Sequence, residues 1–100
     1  MALDLVVTRR ARLDLQWFRI YYTEHFPDGM AKANARFNKC LKLLCEHPAM
    51  GKSAGKLPRR RFSVPDTPYT IVYQHRQNLL EVTRVLDQRK ETYLKELFDL

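Results

Sequence analysis

The 100-residue sequence has no apolar run that approaches the ~18 residues a membrane-spanning helix needs. Its first residues, Met1 to Asp4, lack the basic region and long apolar run of a secretory signal. It also contains no internal repeat and no low-complexity segment. These absences predict a cytoplasmic protein in which residues 1–100 form a single domain. A chain of this length buries roughly 65% of its unfolded surface, enough for one core.

Cysteine and histidine are scarce, with two and three residues. Cys40 and Cys45 are five positions apart, which on a helix separates their side chains by about 140° and disfavours a disulfide. We therefore expect two small buried hydrophobic side chains. No histidine pairs with a cysteine or another histidine at ligand spacing; they are His25, His47 and His75. The sequence predicts no metal site and no cofactor.

Acidic residues are outnumbered, 11 against 18 lysines and arginines, for a net charge of +7. None lies between Glu46 and Asp66. That interval holds five basic residues, namely Lys52, Lys56, Arg59, Arg60 and Arg61. A surface this basic suits nucleic acid, an acidic protein partner, or both. Three interpretations stay open for the basic segment: it binds phosphates, it receives an acidic partner segment, or it is a solvated loop.

Residues 68–86 predict an antiparallel β-hairpin. Tyr69–Gln74 alternates in the period of a pleated strand rich in β-branched and aromatic residues. His75–Asn78 interrupts the pattern, and Leu79–Leu86 resumes it. Strict alternation puts Leu80 and Val85 on opposite faces, so the second strand is apolar on both. It is therefore either covered on both sides or bulged.

The remaining elements follow from helical periodicity and turn residues. They are a strand at Leu3–Thr8, helices from about Arg9 to Glu24 and from Met30 to about His47, a loop at Gly51–Arg60, a strand at Arg61–Val64 and a C-terminal helix within Gln88–Leu100. We expect Thr8 to cap the first helix and Asp28 the second.

This order predicts an α+β fold, in which a helical hairpin packs on one face of a mostly antiparallel four-stranded sheet (β-α-α-β-β-β) with a C-terminal helix. The first strand should add at an edge, beside a hairpin strand. The first helix has a wide apolar stripe, which predicts packing on two neighbours. Within it, Trp17, Tyr21 and Tyr22 form either core or a partner-binding patch. We expect the C-terminal helix to close on its own domain rather than await a partner.

Four motifs in this order resemble the RelE/ParE superfamily, the toxins of type II toxin–antitoxin systems. They are Thr8-x-x-Ala11-x-x-Asp14-Leu15, then Leu44-x-x-x-Pro48-x-x-Gly51, then Arg61-Phe62-x-Val64 with Pro68-Tyr69-Thr70-Ile71-Val72-Tyr73, and last Leu80-x-Val82-x-Arg84-Val85-Leu86 with Arg89. The resemblance covers a core at residues 3–89 and leaves an extension at 90–100.

The resemblance implies one of two activities. RelE-like members are ribosome-dependent ribonucleases that cut mRNA, whereas ParE-like members poison DNA gyrase and are not known as nucleases. Both are silenced by an antitoxin whose C-terminal segment wraps the toxin. The implied partners are a cognate antitoxin with an acidic C-terminal segment, in a hetero-oligomer, and DNA gyrase or the ribosome as target. A third hypothesis is a small basic nucleic-acid-binding domain unrelated to toxins.

RNA cleavage through the 2′-hydroxyl needs a base, a cation and an acid. In the nuclease interpretation, catalysis falls to residues that match the RelE-like cluster, namely Lys52, Lys56, Arg61, Arg84 and Tyr93. Tyr93 can take part in catalysis only if the C-terminal helix turns back over the sheet. Asp87 stands where the catalytic group is expected and would repel a phosphate. The ending Arg84-Val85-Leu86 followed by Arg89 looks ParE-like, and we favour that branch.

In the ParE-like interpretation, the cations bind the target or the antitoxin; they are Lys52, Lys56, Arg59, Arg60, Arg61, Arg84 and Arg89. Arg84 differs from the other cations, because it lies among apolar residues. It either pairs with a carboxylate such as Glu81 or Asp87, or points into a functional concavity.

Overall fold

The computed structural model describes residues 2–55 and 58–98, apart from the Phe98 side chain. Its strands and helices are β1 (Asp4–Val7), α1 (Arg9–His25), α2 (Met30–Glu46), β2 (Lys52–Ser53), β3 (Arg59–Ser63), β4 (Tyr69–Arg76), β5 (Leu79–Asp87) and α3 (Tyr93–Phe98). The α+β prediction is confirmed, and α1 and α2 match their predicted bounds to within a residue. The last two residues of the predicted C-terminal helix lie outside the described chain.

The sheet is five-stranded, in the order β1-β5-β4-β3-β2. β1 lies at one edge beside the hairpin strand β5, as predicted. The two strands are parallel, and the other pairs are antiparallel. The other edge is β2, where Lys52 pairs with Arg61 and Ser53 with Arg60. β2 was predicted as loop, because two residues are too few to show alternation.

A β-bulge interrupts the hairpin between β4 and β5. Val72 pairs with Arg84, but Tyr73 pairs with Val82, so Thr83 is an extra residue on β5. The Thr83 hydroxyl donates to the Val72 carbonyl at 3.2 Å. The bulge shifts the alternation, and Val85 therefore packs in the same cluster as Val82. Strict alternation, which separates Leu80 from Val85, therefore does not hold along β5, and the alternative of a bulged strand is confirmed.

Both faces of the sheet are covered. The α1–α2 hairpin packs on one face around a core that includes Phe18, Leu44, Ile71, Tyr73, Leu80 and Val85. On the other face, α3 brings Leu97 onto a smaller cluster of Ala54, Val72 and Leu86, with Tyr93 beside it. Leu97 is 1% exposed. The expectation that the C-terminal helix closes on its own domain is confirmed.

Thr8 joins α1 to the sheet. Its hydroxyl oxygen accepts from the Ala11 N–H at 3.2 Å, which confirms it as the N-cap, and its O–H donates to the Thr83 carbonyl. The predicted cap by Asp28 is wrong. Gly29 occupies the N-cap of α2 without a side-chain hydrogen bond, because Asp28 lies inside a short 3₁₀ turn at Pro27–Gly29.

Cys40 and Cys45 are buried and unbridged, as expected. Burial raises the pKa of both thiols, and the cation of Lys39 opposes the rise at Cys40. None of the helices in the described ranges is long and apolar enough to cross a membrane.

Gly51 gives a test of the packing beneath β4. Its N–H donates to the Tyr73 hydroxyl at 2.9 Å, and that hydroxyl donates to the Pro48 carbonyl at 2.7 Å. In Gly51→Ala the new Cβ would overlap the Tyr73 hydroxyl oxygen and lie 2.7 Å from the Arg61 carbonyl oxygen. We expect a loss of about 2 kcal/mol in the free energy of unfolding, measured by urea denaturation.

The matched control is Gly29→Ala, whose Cβ has no neighbour nearer than 3.7 Å, at Tyr22. It should leave stability unchanged or slightly raised, because alanine restricts the unfolded chain. Equal stability of the two variants would contradict the tight contact at Gly51.

Candidate functional site

Three of the predicted cations lie on the sheet face that α3 partly covers. Arg61 pairs with Val72, and Val72 pairs with Arg84. Residues directly opposite in an antiparallel ladder share a face, so both arginines lie on the side of the Val72 cluster. Arg59 is two residues from Arg61 on β3 and shares that face. We call Arg59, Arg61 and Arg84 the arginine face.

The other predicted cations are distributed elsewhere. Arg60 lies on the opposite side of β3, where its guanidinium donates to the Gly51 carbonyl at 2.9 Å. Lys52 is exposed on the edge strand β2. Lys56 lies outside the described residues. The basic segment predicted as one loop is therefore split between two strands and both faces of the sheet.

Arg84 is held by two carboxylates that the sequence prediction did not name. Its Nε donates to Asp14 Oδ2 at 2.8 Å, and its Nη2 lies 3.6 Å from Glu96 Oε2. The Arg84 side chain is only 14% exposed. The partners named from the sequence, Glu81 and Asp87, are wrong, because Glu81 binds Gln74 and Asp87 is bound elsewhere.

The carboxylate of Asp14 also completes the sheet. β1 ends at Val7, opposite Val82, so the outer edge of β5 continues beyond its last strand partner. Asp14 Oδ2 accepts from the Val85 N–H at 2.9 Å on that edge. A backbone N–H group that is buried away from water needs a hydrogen-bond acceptor. Asp14 therefore ties α1, β5 and Arg84 together. Asp14 belongs to the first family motif, and that motif is the signal in the sequence that could have identified Asp14 as a site residue.

Arg84 also lines a concavity. A cleft of about 200 Å³ lies between α1, the end of β5 and α3, and its walls include Asp14, Trp17, Lys90 and Glu96. Within the described ranges, no group of three or more histidine, cysteine, aspartate or glutamate residues could hold a metal ion.

Asp87 is neutralised by the chain that follows it. It is 5% exposed, and its Oδ1 accepts from both the Arg89 N–H and the Arg89 Nε, at 2.9 and 3.0 Å. Its Oδ2 accepts from Arg89 Nη2 at 3.0 Å. The hydrogen bond to Asp87 raises the pKa of Arg89. The sequence predicts that Asp87 repels a phosphate, and its pairing with Arg89 weakens that repulsion.

The aromatic residues of α1 divide between core and surface. Tyr22 packs against the core, whereas Trp17 is 42% exposed and stacks on Tyr21, with ring centroids 5.5 Å apart. Two cations from the segment after β5 lie over these rings, Arg89 over Tyr21 and Lys90 over Trp17, each at 4.5 Å. The core interpretation is therefore confirmed for Tyr22, whereas Trp17 lies at the surface.

Tyr93 does reach the second face of the sheet. α3 turns back over the sheet, and the Tyr93 hydroxyl lies at hydrogen-bonding distance, 3.0 Å, from that of Thr70. The condition that the nuclease interpretation sets for Tyr93 is met, although the hydroxyl is already bonded.

Comparisons with known proteins identify the family and the fold. Residues 5–92 match the family described as the ParE toxin of the type II toxin–antitoxin system, parDE. The chain belongs to the ParE toxin family. A solved structure titled the chromosomal ParDE TA system from P. aeruginosa superposes with a TM-score of 0.72 at 19% identity, over 86% of this chain and 96% of that chain. At that identity the likeness shows the fold alone. No curated protein matches the sequence significantly.

The toxin should depend on Asp14 for stability. Asp14→Ala leaves the Arg84 guanidinium with only the longer contact to Glu96 and removes the acceptor of the Val85 N–H. We expect a loss of about 3 kcal/mol in the free energy of unfolding, since one member of a largely buried pair is removed. The control, Asp4→Ala, alters an exposed carboxylate and should stay within about 0.5 kcal/mol of the parent. Equal losses in urea denaturation would contradict the assigned role.

Proposed function

We propose that this ParE-family toxin inhibits DNA gyrase in the cytoplasm by binding rather than by catalysis, and that a cognate antitoxin neutralises it. The observation that carries the proposal is that the side chains available for acid–base catalysis are already engaged within the chain. Cleavage of RNA needs a group free to accept a proton. Asp87, at the position of the expected catalytic group, is held by Arg89 through three hydrogen bonds.

The remaining candidates for catalysis are also engaged. The charge of Arg84 is balanced by Asp14 and Glu96, so less of it is available to a phosphate. The hydroxyl of Tyr93 bonds to Thr70. These contacts stabilise the fold of the toxin, and they support a binding role for the site over an acid–base one.

The exposed cations supply a binding surface. Lys52 is exposed on β2, directly opposite Arg61 on β3. Carboxylates pair well with ammonium and guanidinium groups. Acidic groups of gyrase, or of the antitoxin's C-terminal segment, fit this surface.

One observation favours the RelE-like ribonuclease as second candidate, namely that Tyr93 lies over the sheet close to the arginine face. In that case Lys52, Lys56, Arg61 and Arg84 would bind the phosphate, and Tyr93 would transfer the proton. A general nucleic-acid-binding domain is the weakest candidate, since only the net charge of +7 supports it.

The first test uses purified toxin with gyrase and, separately, with ribosomes translating a defined mRNA. We expect the toxin to inhibit supercoiling of relaxed plasmid, the cognate antitoxin to restore it, and the mRNA to stay intact. Unchanged supercoiling together with ribosome-dependent cleavage would overturn the proposal and establish the second candidate. Tight, salt-sensitive binding to bare DNA without growth arrest would establish the third.

Two substitutions separate binding from catalysis. Tyr93→Phe removes only a hydroxyl and should leave gyrase inhibition within about 2-fold, whereas a nuclease would lose about 100-fold of its rate. Lys52→Glu reverses an exposed cation and should weaken inhibition about 10-fold. The matched control is Lys42→Glu on the exposed side of α2. Loss of toxicity in Tyr93→Phe alone would contradict the binding mechanism.

A further inference from the structure

β1 has a strand neighbour, β5, on one side only. The Asp4 N–H donates to the Asn78 carbonyl at 2.8 Å, and the Thr8 N–H donates to the Val82 carbonyl at 3.0 Å. Backbone groups of successive residues point to alternate sides of a strand, so the N–H and C=O groups of residues 5 and 7 point away from β5. We call residues 5–7 the β1 edge. Such a row of donors and acceptors can pair with another strand.

The side chains of the β1 edge are apolar and partly exposed. Leu5 is 44% exposed and Val6 is 38% exposed. Leu5 lies beside Leu80, on the sheet face that the α1–α2 hairpin covers, and Val6 lies beside Glu81 on the other face. Edge strands are commonly protected from pairing by lysine or proline, and β1 contains neither. The β1 edge is therefore suited to a strand partner on both faces of the sheet.

The N-terminal end of the β1 edge is acidic. Asp4 lies there, and the end of α2 is adjacent, because the Leu3 N–H donates to the Cys45 carbonyl at 2.9 Å. The next residue of the chain is Glu46, and both carboxylates are exposed. Burial, and after it the charges of Asp4 and Glu46, raise the pKa of the Cys45 thiol, which agrees with two carboxylates near that sulfur.

The C-terminal end of the β1 edge is basic. The chain passes from Val7 through Thr8 into α1, whose first turn begins with Arg9 and Arg10. Both arginines are exposed. The carboxylate of Asp14, one turn further along, is bound to Arg84. Opposite charges therefore lie at the two ends of one short strand.

This pattern is complementary to itself under a two-fold rotation. If two β1 edges pair antiparallel about Val6, Leu5 of each copy lies opposite Val7 of the other, and the two pairs exchange four backbone hydrogen bonds. The same rotation brings Asp4 of each copy opposite Thr8 of the other, next to Arg9. Each acidic end then meets a basic end, twice in the dimer, as an isologous interface requires.

The charges also discriminate against other strands. A uniformly acidic strand would be repelled by Asp4 and Glu46, and a uniformly basic strand by Arg9 and Arg10. A strand with acid at its start and base at its end, paired antiparallel, satisfies both ends, and β1 is such a strand. We propose that two copies of the toxin form a two-fold dimer by antiparallel pairing of their β1 edges, which joins their sheets into one.

Sedimentation equilibrium of the full-length toxin tests the dimer. Three residues a side make a small interface, so we expect a reversible monomer–dimer equilibrium with a Kd on the order of 10 μM. A toxin that stays monomeric up to about 200 μM would overturn the proposal, since at roughly twenty times that Kd most of the chain should be dimeric.

Two substitutions test the edge itself. Val6→Lys places two ammonium groups side by side at the two-fold axis and should raise the dimer Kd about 10-fold or more, whereas the control Val6→Thr keeps a neutral β-branched side chain and should stay within about 3-fold. Leu5→Pro removes an N–H that points away from β5 and should abolish dimerisation, whereas Leu5→Ala keeps that N–H and should weaken it far less. Urea denaturation checks that each variant is folded. A dimer that persists in folded Val6→Lys and Leu5→Pro would overturn the pairing.

A charge exchange tests the register. Arg9→Glu with Arg10→Glu makes both ends of the edge acidic, and Asp4→Lys with Glu46→Lys makes both ends basic. Each double variant alone should dimerise at least about 10-fold more weakly than the parent, because like charges meet twice. An equimolar mixture of the two should form a heterodimer with an affinity near that of the parent. No recovery in the mixture would overturn the two-fold arrangement.

The dimer and the proposed function fail separately. Gyrase inhibition at toxin concentrations well below the dimer Kd should be equal for the parent and Val6→Lys. Absence of inhibition in both, with the dimer intact, contradicts the gyrase proposal alone. If the free toxin is monomeric and Val6→Lys instead weakens binding of the cognate antitoxin about 10-fold, the β1 edge pairs with an antitoxin strand, and the dimer is overturned.

Discussion

The constraint on which the rest of this structure depends is the outer edge of β5 beyond the end of β1. β1 pairs with β5 only as far as Val82, and backbone groups further along need partners that are not strands. Thr8 supplies a donor to the Thr83 carbonyl, and Asp14 supplies an acceptor to the Val85 N–H. Two side chains from the start of α1 thus replace the missing strand and fix the helix against the sheet.

The same two contacts organise the charges. Because Asp14 is held at the β5 edge, its second role is to orient Arg84, which also contacts Glu96 on α3. The bulge at Thr83 determines which residues of β5 face which side, and so places Arg84 in one row with Val72 and Arg61. A structural ion pair and a candidate binding surface therefore share one residue. Removal of its charge would affect both.

The basic residues consequently fall into two classes. The first class donates hydrogen bonds to carbonyl and carboxylate groups of the chain itself, and its members are Arg60, Arg84 and Arg89. Lys52, Arg10 and Arg12 remain exposed. A net charge of +7 alone does not separate these classes, since both contribute equally to it. The surfaces available to a partner are therefore formed by cations of the second, exposed class.

The sequence by itself determined the elements. The periodicity of α1 and α2, the alternation of the β4–β5 hairpin and the cap at Thr8 are local properties that a few neighbouring residues decide, and they were predicted within a residue or two. Only the tertiary structure determined which side chains contact one another across the fold. Arg84 meets Asp14 seventy positions away, and the bulge at Thr83 reverses the alternation that strict periodicity predicts. The helical periodicity of α1 likewise did not predict that Leu13 and Ile20 are exposed. An apolar helix stripe has the same period whether a neighbour covers it or not, and the position of the neighbour depends on long-range packing.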